Sequence, residues 1–142
     1  MGTANVASTQ LRGEPASARA ARRFVRDVIR AWGCDDVVDE VVLLTDELVT
    51  NVILHARTDI EQHARIERGV VRVEVRDGSP QQPVPRDAAD ADTGRGLAMV
   101  DALSAAWGVD EGPSEKTVWF EVPSTPYSEV GDTSTINRAP RS

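Results

Sequence analysis

Apolar residues recur at helical spacing in two long segments of the chain. The first segment runs from Ala18 to Trp32 and follows a Pro-Ala-Ser sequence that is typical of a helix start. The second runs from about Val37 to His55, after two aspartates that can cap it. Its apolar positions cover more than half of the helical circumference. We therefore expect two helices, of which the second is largely buried.

Strands are marked by a different pattern. Val70 to Arg76 alternates β-branched and charged residues, which predicts a half-buried strand. Trp107 to Val109 and Thr117 to Val122 are expected to form two further strands around a Glu-Gly-Pro turn. Residues 58–66 are polar and mixed, and their pattern predicts no element.

The remaining segments connect or flank these elements. Residues 80–93 are rich in proline and aspartate and predict a long loop, of a length that is usually functional or disordered. A helix is expected from Gly96 to Ala106. We expect a disordered arm over residues 1–9, one folded domain over residues 10–123 that opens with a short edge strand, and a disordered tail over residues 124–142.

The order of these elements predicts an α+β fold. Two helices, a strand, a loop, a helix and two strands form a two-layer α/β sandwich, with a mixed, mostly antiparallel sheet and helices on one face. With 142 residues and 40% apolar content, the chain is long enough for a single domain with an aliphatic core.

Charge and cysteine content narrow the classes of function. A formal net charge of -7 and a pI near 4.8 disfavour nucleic acid and anionic membranes as partners. Cys34 is the single cysteine, which excludes an intrachain disulfide and a cysteine-rich zinc site. Because the sequence shows neither a membrane-spanning stretch nor a secretory leader, we expect a cytoplasmic protein.

Glu47 and Asn51 stand out within the second apolar helix. Side chains four residues apart project side by side, so this carboxylate and this carboxamide share one face. A carboxylate can deprotonate a hydroxyl or a water, and an amide oxygen is a hard ligand that suits Mg²⁺. The alternative is a solvated polar stripe, and the helix alone favours neither hypothesis.

Two glycine-containing segments are also candidates for a site. Asp77-Gly78 follows a strand directly and is typical of a turn, although a carboxylate there can also accept from a purine amino group. Gly94-Arg95-Gly96-Leu97 precedes a helix, where backbone N–H groups and the helix dipole favour phosphate. A plain flexible helix entry is the alternative for this segment.

The first helix carries a row of arginines on the face opposite its apolar one. Such a row is usually a solvated face, but in an acidic chain it can also dock an acidic partner surface. Its members, named the arginine stripe below, are Arg19, Arg22, Arg23, Arg26 and Arg30.

Taken together, residues 10–123 resemble the GHKL ATPases of the Bergerat fold. The resemblance is greatest to their small branch of anti-sigma-factor serine/threonine kinases, the RsbW- and SpoIIAB-like proteins. The segment Glu47 to Asn51 is similar to the N box of that family, which implies that Glu47 is the general base and Asn51 the Mg²⁺ ligand. Asp77, followed by Gly78, is similar to the residue that binds the adenine amino group. The family also implies that Thr117 lies near the adenine.

The same resemblance assigns the phosphate site. Residues 81–93 correspond to the ATP lid, and Gly94, Arg95, Gly96 and Leu97 to the G2 box. It implies ATP and Mg²⁺ as cofactors, phosphorylation of an anti-anti-sigma (STAS-type) protein, a sigma factor as second partner and an occasional homodimer. A two-component histidine kinase is disfavoured, because neither His55 nor His63 lies in a pair of phospho-acceptor helices.

One motif departs from the family pattern. Where the family has Asp-x-Gly-x-Gly, this chain has Asp77-Gly78-Ser79-Pro80-Gln81. A side chain at Ser79 and a ring at Pro80 restrict the backbone where the base approaches. A second hypothesis is therefore a docking module of the same fold that binds nucleotide weakly or not at all.

Overall fold

The computed structural model describes residues 5–56, 58–78 and 98–125. The elements with assigned bounds are β1 (Asn5–Leu11), α1 (Ser17–Ala31), a 3-10 turn (Asp35–Val37), α2 (Val38–His55), β2 (Ile60–Glu67), β3 (Val70–Asp77), β4 (Ala106–Glu111) and β5 (Lys116–Pro123). Residues 98–103 are also helical.

The five strands form one sheet in the order β1-β2-β3-β5-β4. All four pairings between these described strands are antiparallel. A mixed sheet would contain at least one parallel pairing, and these strands have none. α1 and α2 pack against each other and contact β1, β2 and β3. The predicted α+β sandwich, with helices against a mostly antiparallel sheet, is confirmed.

Each central strand has one buried and one accessible side. On β3, Val71, Val73, Val75 and Asp77 are buried, while the residues between them are only half-buried. On β2 the buried positions are Ile60, Gln62, Ala64 and Ile66. We call the side of the sheet that carries these residues the inner face, because it lies against the helices, and the opposite side the outer face.

The core fills the space between the inner face and the helices. α1 contributes Ala21, Val25 and Ile29, which are fully buried. Among the residues that α2 contributes, Leu44 and Leu48 are 2% exposed or less. Full burial of a Val, Leu or Ile side chain is worth roughly 1.5–3 kcal/mol. These contacts hold α2 against the sheet, and the site described below lies on α2.

Two strands differ from the sequence prediction. The expected disordered arm is wrong for residues 5–9, because Asn5–Leu11 forms β1 and pairs with β2 from Asn5↔Ile66 to Leu11↔Ile60. The segment 58–66, without a predicted element, contains most of β2. β1 and β2 form backbone hydrogen bonds with each other. Short polar sequences do not reveal such a pairing.

Within the described residues, neither α1 nor α2, nor the helical stretch 98–103, combines the length and the apolar character that crossing a membrane requires.

Candidate functional site

Glu47 and Asn51 lie one turn apart on α2, at the edge of its buried face. Both are half-buried, whereas Leu48 between them is buried in the core. Asp46, the residue before Glu47, is directed toward α1, where its Oδ1 accepts a hydrogen bond of 2.7 Å from Arg22. Because successive residues of a helix are turned by about 100°, Glu47 is directed away from this contact. The pair therefore faces a side of α2 that this contact with α1 does not cover.

Two accessible leucines flank this pair on the same side of α2. Leu43 precedes Glu47 by one turn and is 40% exposed, and Leu54 follows Asn51 by three residues and is 54% exposed. Spacings of three and four residues keep side chains on one helical face. A small number of polar groups among apolar side chains is the composition typical of a ligand site.

Asp77 ends β3, the central strand of the sheet, on its inner face. The residue is 2% exposed, so its carboxylate lies in the interior at the end of the strand. At the next residue, Gly78, which is exposed, an added Cβ would have no heavy atom within 4 Å. An ionised carboxylate has several acceptor positions, so one hydrogen bond to it does not exclude another.

The C-terminal end of α2 and the end of β3 lie close together. α2 ends at His55, and three residues later Thr58 Oγ1 accepts a hydrogen bond of 3.1 Å from the Gly78 N–H. Ile60, at the start of β2, pairs with Asp77. The helix turn that contains Asn51 therefore lies toward the Asp77 end of the sheet, on the inner side.

Thr117 lies on the outer face of the sheet, and its expected position near the ligand base stays a prediction. Thr117 pairs with Arg76, on the outer face, whereas the next residue of β3, Asp77, is on the inner face and pairs with Lys116. Side chains alternate between the two faces along a strand. The β5 side chain opposite Asp77 on the inner face is therefore Lys116.

Lys116 and Thr117 are neighbours on β5 but lie on opposite faces of the sheet, and only Thr117 was expected at the site. Val118, Phe120 and Val122 pair with the buried residues of β3. Lys116 shares their parity and Thr117 does not. Apolar side chains at both parities, including Val118 and Trp119, hid this from the sequence pattern.

The predicted phosphate cradle lies outside the described residues. Gly94, Arg95, Gly96 and Leu97 belong to the segment 79–97, as do the expected lid at 81–93 and the residues Ser79 and Pro80. Their role stays a prediction. Of the predicted site residues, Glu47 and Asn51 share one side of α2, and Asp77 and Gly78 lie at the end of β3 near the C-terminal end of that helix.

The donors on α2 fit a magnesium ion that is held mainly by phosphates. Among the described residues, no group of three or more His, Cys, Asp or Glu side chains could hold a metal by itself. Mg²⁺ keeps several waters and is usually bound through one or two protein oxygens together with substrate phosphates. The amide oxygen of Asn51 is one protein donor of this kind, and the carboxylate of Glu47 one turn away stays available as a base.

The outer face is occupied by ion pairs. Arg72 donates hydrogen bonds of 2.8 Å to both Glu74 and Glu121 and lies 4.1 Å from the centroid of the Trp119 ring. Burial alone would lower the pKa of Arg72, but the two carboxylates outweigh burial and raise this pKa above its usual value. These groups are satisfied by one another, and the outer face is not the candidate site.

The chain is similar to known ATPase domains in sequence and in fold. Residues 11–122 match the family model of the histidine kinase-like ATPase domain. The structure of the RsbU and RsbW domains of Rv1364c from Mycobacterium tuberculosis matches 84% of this chain with a TM-score of 0.67 and 22% identity. The chain covers 32% of that structure, about a third of its length. No curated protein sequence is significantly similar to the chain.

A histidine kinase shares the fold more distantly. The Acinetobacter baumannii histidine kinase AdeS matches 84% of this chain at a TM-score of 0.51 and 9% identity, and the chain covers 68% of that structure. At these identities the likeness establishes a common fold of helices on an antiparallel sheet.

Proposed function

The chain belongs to the histidine kinase-like ATPase domain family, and we propose that it is an ATP-dependent serine/threonine kinase that regulates a sigma factor. In this proposal it phosphorylates an anti-anti-sigma (STAS-type) protein and binds the sigma factor in alternation with it. One observation carries the proposal: Glu47 and Asn51 share one half-buried side of α2, and the C-terminal end of this helix lies near the end of β3 that carries Asp77.

Each of these side chains has a separate task in phosphoryl transfer. Asp77 accepts a hydrogen bond from the amino group of adenine and fixes the base, with Gly78 leaving space for it. Asn51 provides an amide oxygen for the magnesium ion that accompanies ATP, and bound Mg²⁺ would neutralise charge on the phosphates. Glu47 orients the acceptor hydroxyl and takes its proton. The segment from Gly94 to Leu97 is proposed to cradle the phosphates.

The arginine stripe supports a protein partner for this activity. Arg19, Arg23 and Arg30 are exposed on α1, and Arg22 is paired with Asp46 of α2. Exposed guanidinium groups on one face of a helix complement an acidic surface and accelerate its association. We propose that the stripe contacts the acceptor protein or the sigma factor, in the cytoplasm and with the kinase as a monomer or homodimer.

The proposal is tested by removing the base without removing the fold. Glu47→Gln keeps the size of the side chain but loses the carboxylate, so transfer from labelled ATP to a STAS-type acceptor should fall about 100-fold or more. The affinity for ATP, measured by calorimetry, should change little. Glu40→Gln is the matched control, because Glu40 is half-buried on α2 two turns before Glu47. Undiminished transfer by Glu47→Gln would remove Glu47 from the base role.

The second candidate function is a docking module of the same fold. The exposed arginine stripe favours it, because partner binding through α1 needs no nucleotide. Calorimetry separates the two candidates. A chain that binds a partner but gives no heat with Mg²⁺-ATP is a docking module, and one that also binds Mg²⁺-ATP has the ligand that the kinase requires.

A further inference from the structure

Lysine occurs once in this chain. The sequence contains 16 basic residues, of which 15 are arginine and one, Lys116, is lysine. Lysine carries a compact ammonium group on a flexible stem, whereas arginine presents a broad planar fork. Since every other basic position is arginine, the lysine at position 116 is an exception.

Lys116 lies in the middle of a charged row across the inner face. It pairs with Asp77 of β3 on one side and with Glu111 of β4 on the other. Side chains directly opposite each other on antiparallel strands have Cβ atoms about 5 Å apart. The row lies where β3 and β4 end and where β5 begins.

The ammonium group of Lys116 makes no ion pair in the described part of the chain. The five ion pairs found there all use an arginine, and Lys116 is half-buried. Asp77 and Glu111 are its neighbours across the sheet, but neither forms an ion pair with it. An ammonium group in this position remains able to donate hydrogen bonds to a ligand. By contrast, Arg72 and Arg76 of β3 are paired with carboxylates on the outer face.

We propose that Lys116 is a nucleotide-binding residue that recognises the base together with Asp77. This inference rests on the proposed binding of ATP. Adenine presents its amino group, a donor, beside a ring nitrogen, an acceptor. Asp77 can only accept when ionised and Lys116 can only donate, so the two opposed side chains match these neighbouring groups. The role that the family resemblance gives to Thr117 thus falls to Lys116.

Calorimetric titration of Lys116→Met with ATP, ADP and adenosine tests this role. A hydrogen bond from a charged donor is worth roughly 1.5–3 kcal/mol, so the affinity should fall about tenfold or more for all three ligands. Thr117→Val is the matched control, because its side chain is next along β5 but on the outer face. Its affinities should stay within about twofold of the parent values.

The outcomes separate this inference from the function on which it rests. If the parent binds ATP and Lys116→Met binds it equally well, the inference is wrong while the proposed function stands. A loss confined to ATP and ADP would assign Lys116 to the phosphates and overturn base recognition. No binding by the parent would overturn both.

Reductive methylation with ¹³C-formaldehyde provides a measurement that needs no variant. The reaction keeps the positive charge, and Lys116 and the amino terminus are the amines available in this sequence. Adenosine should shift the NMR signal of the methylated Lys116. An unchanged signal at saturating adenosine would contradict the contact even if Lys116→Met fails to fold.

Discussion

Gly108→Ala tests the strand arrangement that places Lys116 on the inner face. Gly108 of β4 pairs with Trp119 of β5, on the outer face. A Cβ at Gly108 would lie 2.7 Å from Cζ2 and 2.9 Å from Cε2 of the Trp119 ring. Non-bonded carbon atoms are normally separated by about 3.5–4.0 Å. The substitution therefore forces the indole ring to move.

The cost of that movement follows from what holds the ring. Arg72 lies over Trp119 and is fixed by hydrogen bonds of 2.8 Å to Glu74 and Glu121. Losing the stacking costs about 0.5–1 kcal/mol, and an off-rotamer indole costs about 0.5–1.5 kcal/mol. Replacing glycine by alanine also stabilises the fold by about 0.4–1 kcal/mol, because alanine lowers the conformational entropy of the unfolded chain. The free energy of unfolding should thus fall by about 1 kcal/mol, within a range of about 0–2 kcal/mol.

Urea denaturation followed by circular dichroism measures this difference. Gly112→Ala is the control in the same hairpin, because its Cβ would meet Glu115 Cγ at 3.6 Å, an ordinary contact. It should be as stable as the parent or slightly more stable. If Gly108→Ala were as stable as Gly112→Ala, Trp119 would not lie over Gly108. The assignment of alternate β5 residues to the two faces, on which Lys116 depends, would then be wrong.

Three further predictions concern α2 and α1. Asn51→Ala should weaken Mg²⁺-dependent ATP binding in calorimetry while leaving the thermal transition in place, and equal affinities would exclude Asn51 as the ligand. Within the described residues the buried Thr45 Oγ1 has no hydrogen-bond partner. Thr45→Val should therefore raise the free energy of unfolding, measured in urea, by about 1 kcal/mol. A lower free energy of unfolding in the variant would show that the hydroxyl is hydrogen-bonded. Arg19→Glu with Arg23→Glu should weaken binding of the acceptor at least tenfold by fluorescence anisotropy, whereas Arg65→Glu should not; equal effects would show that the stripe is not the contact.

The helices could be predicted closely because their patterns are long. The expected span of Val37 to His55 differs by one residue from α2 (Val38–His55). Four turns of apolar residues at consistent spacing leave few alternative assignments. β3 was likewise predicted to within one residue, since strictly alternating Val and charged residues fit a half-buried strand.

β2 could not be predicted because only Ile60 and Ile66, toward its two ends, are large apolar residues on its inner face. Gln62 and Ala64 occupy two of its four buried positions, and Gln62 is held by a hydrogen bond of 3.4 Å from its Nε2 to the carbonyl oxygen of Ala21. That partner belongs to α1 and is distant in the sequence. A buried polar side chain whose partner lies on a distant element is invisible to a local pattern.

Candidate site residues could be named from the sequence on α2 and at the end of β3, but on β5 the sequence did not fix the face on which each residue lies. Glu47, Asn51 and Asp77 follow from spacing and from the strand end. The choice between Lys116 and Thr117 depends on strand register, which is set by pairing with β3. A shift of one residue exchanges the two faces of a strand, and the sequence of β5 fits either choice.

The proposed function depends most on where ATP binds. Amide NMR spectra of the ¹⁵N-labelled chain, recorded with and without Mg²⁺-ATP, locate the ligand directly. The proposed function predicts shifts at residues 47–51 of α2 and at residues 77 and 78, and the proposed role of Lys116 predicts a shift at residue 116. The outer-face residues 61, 72 and 74 should change little. No shifts at saturating Mg²⁺-ATP, or shifts confined to the outer face, would contradict the proposed function.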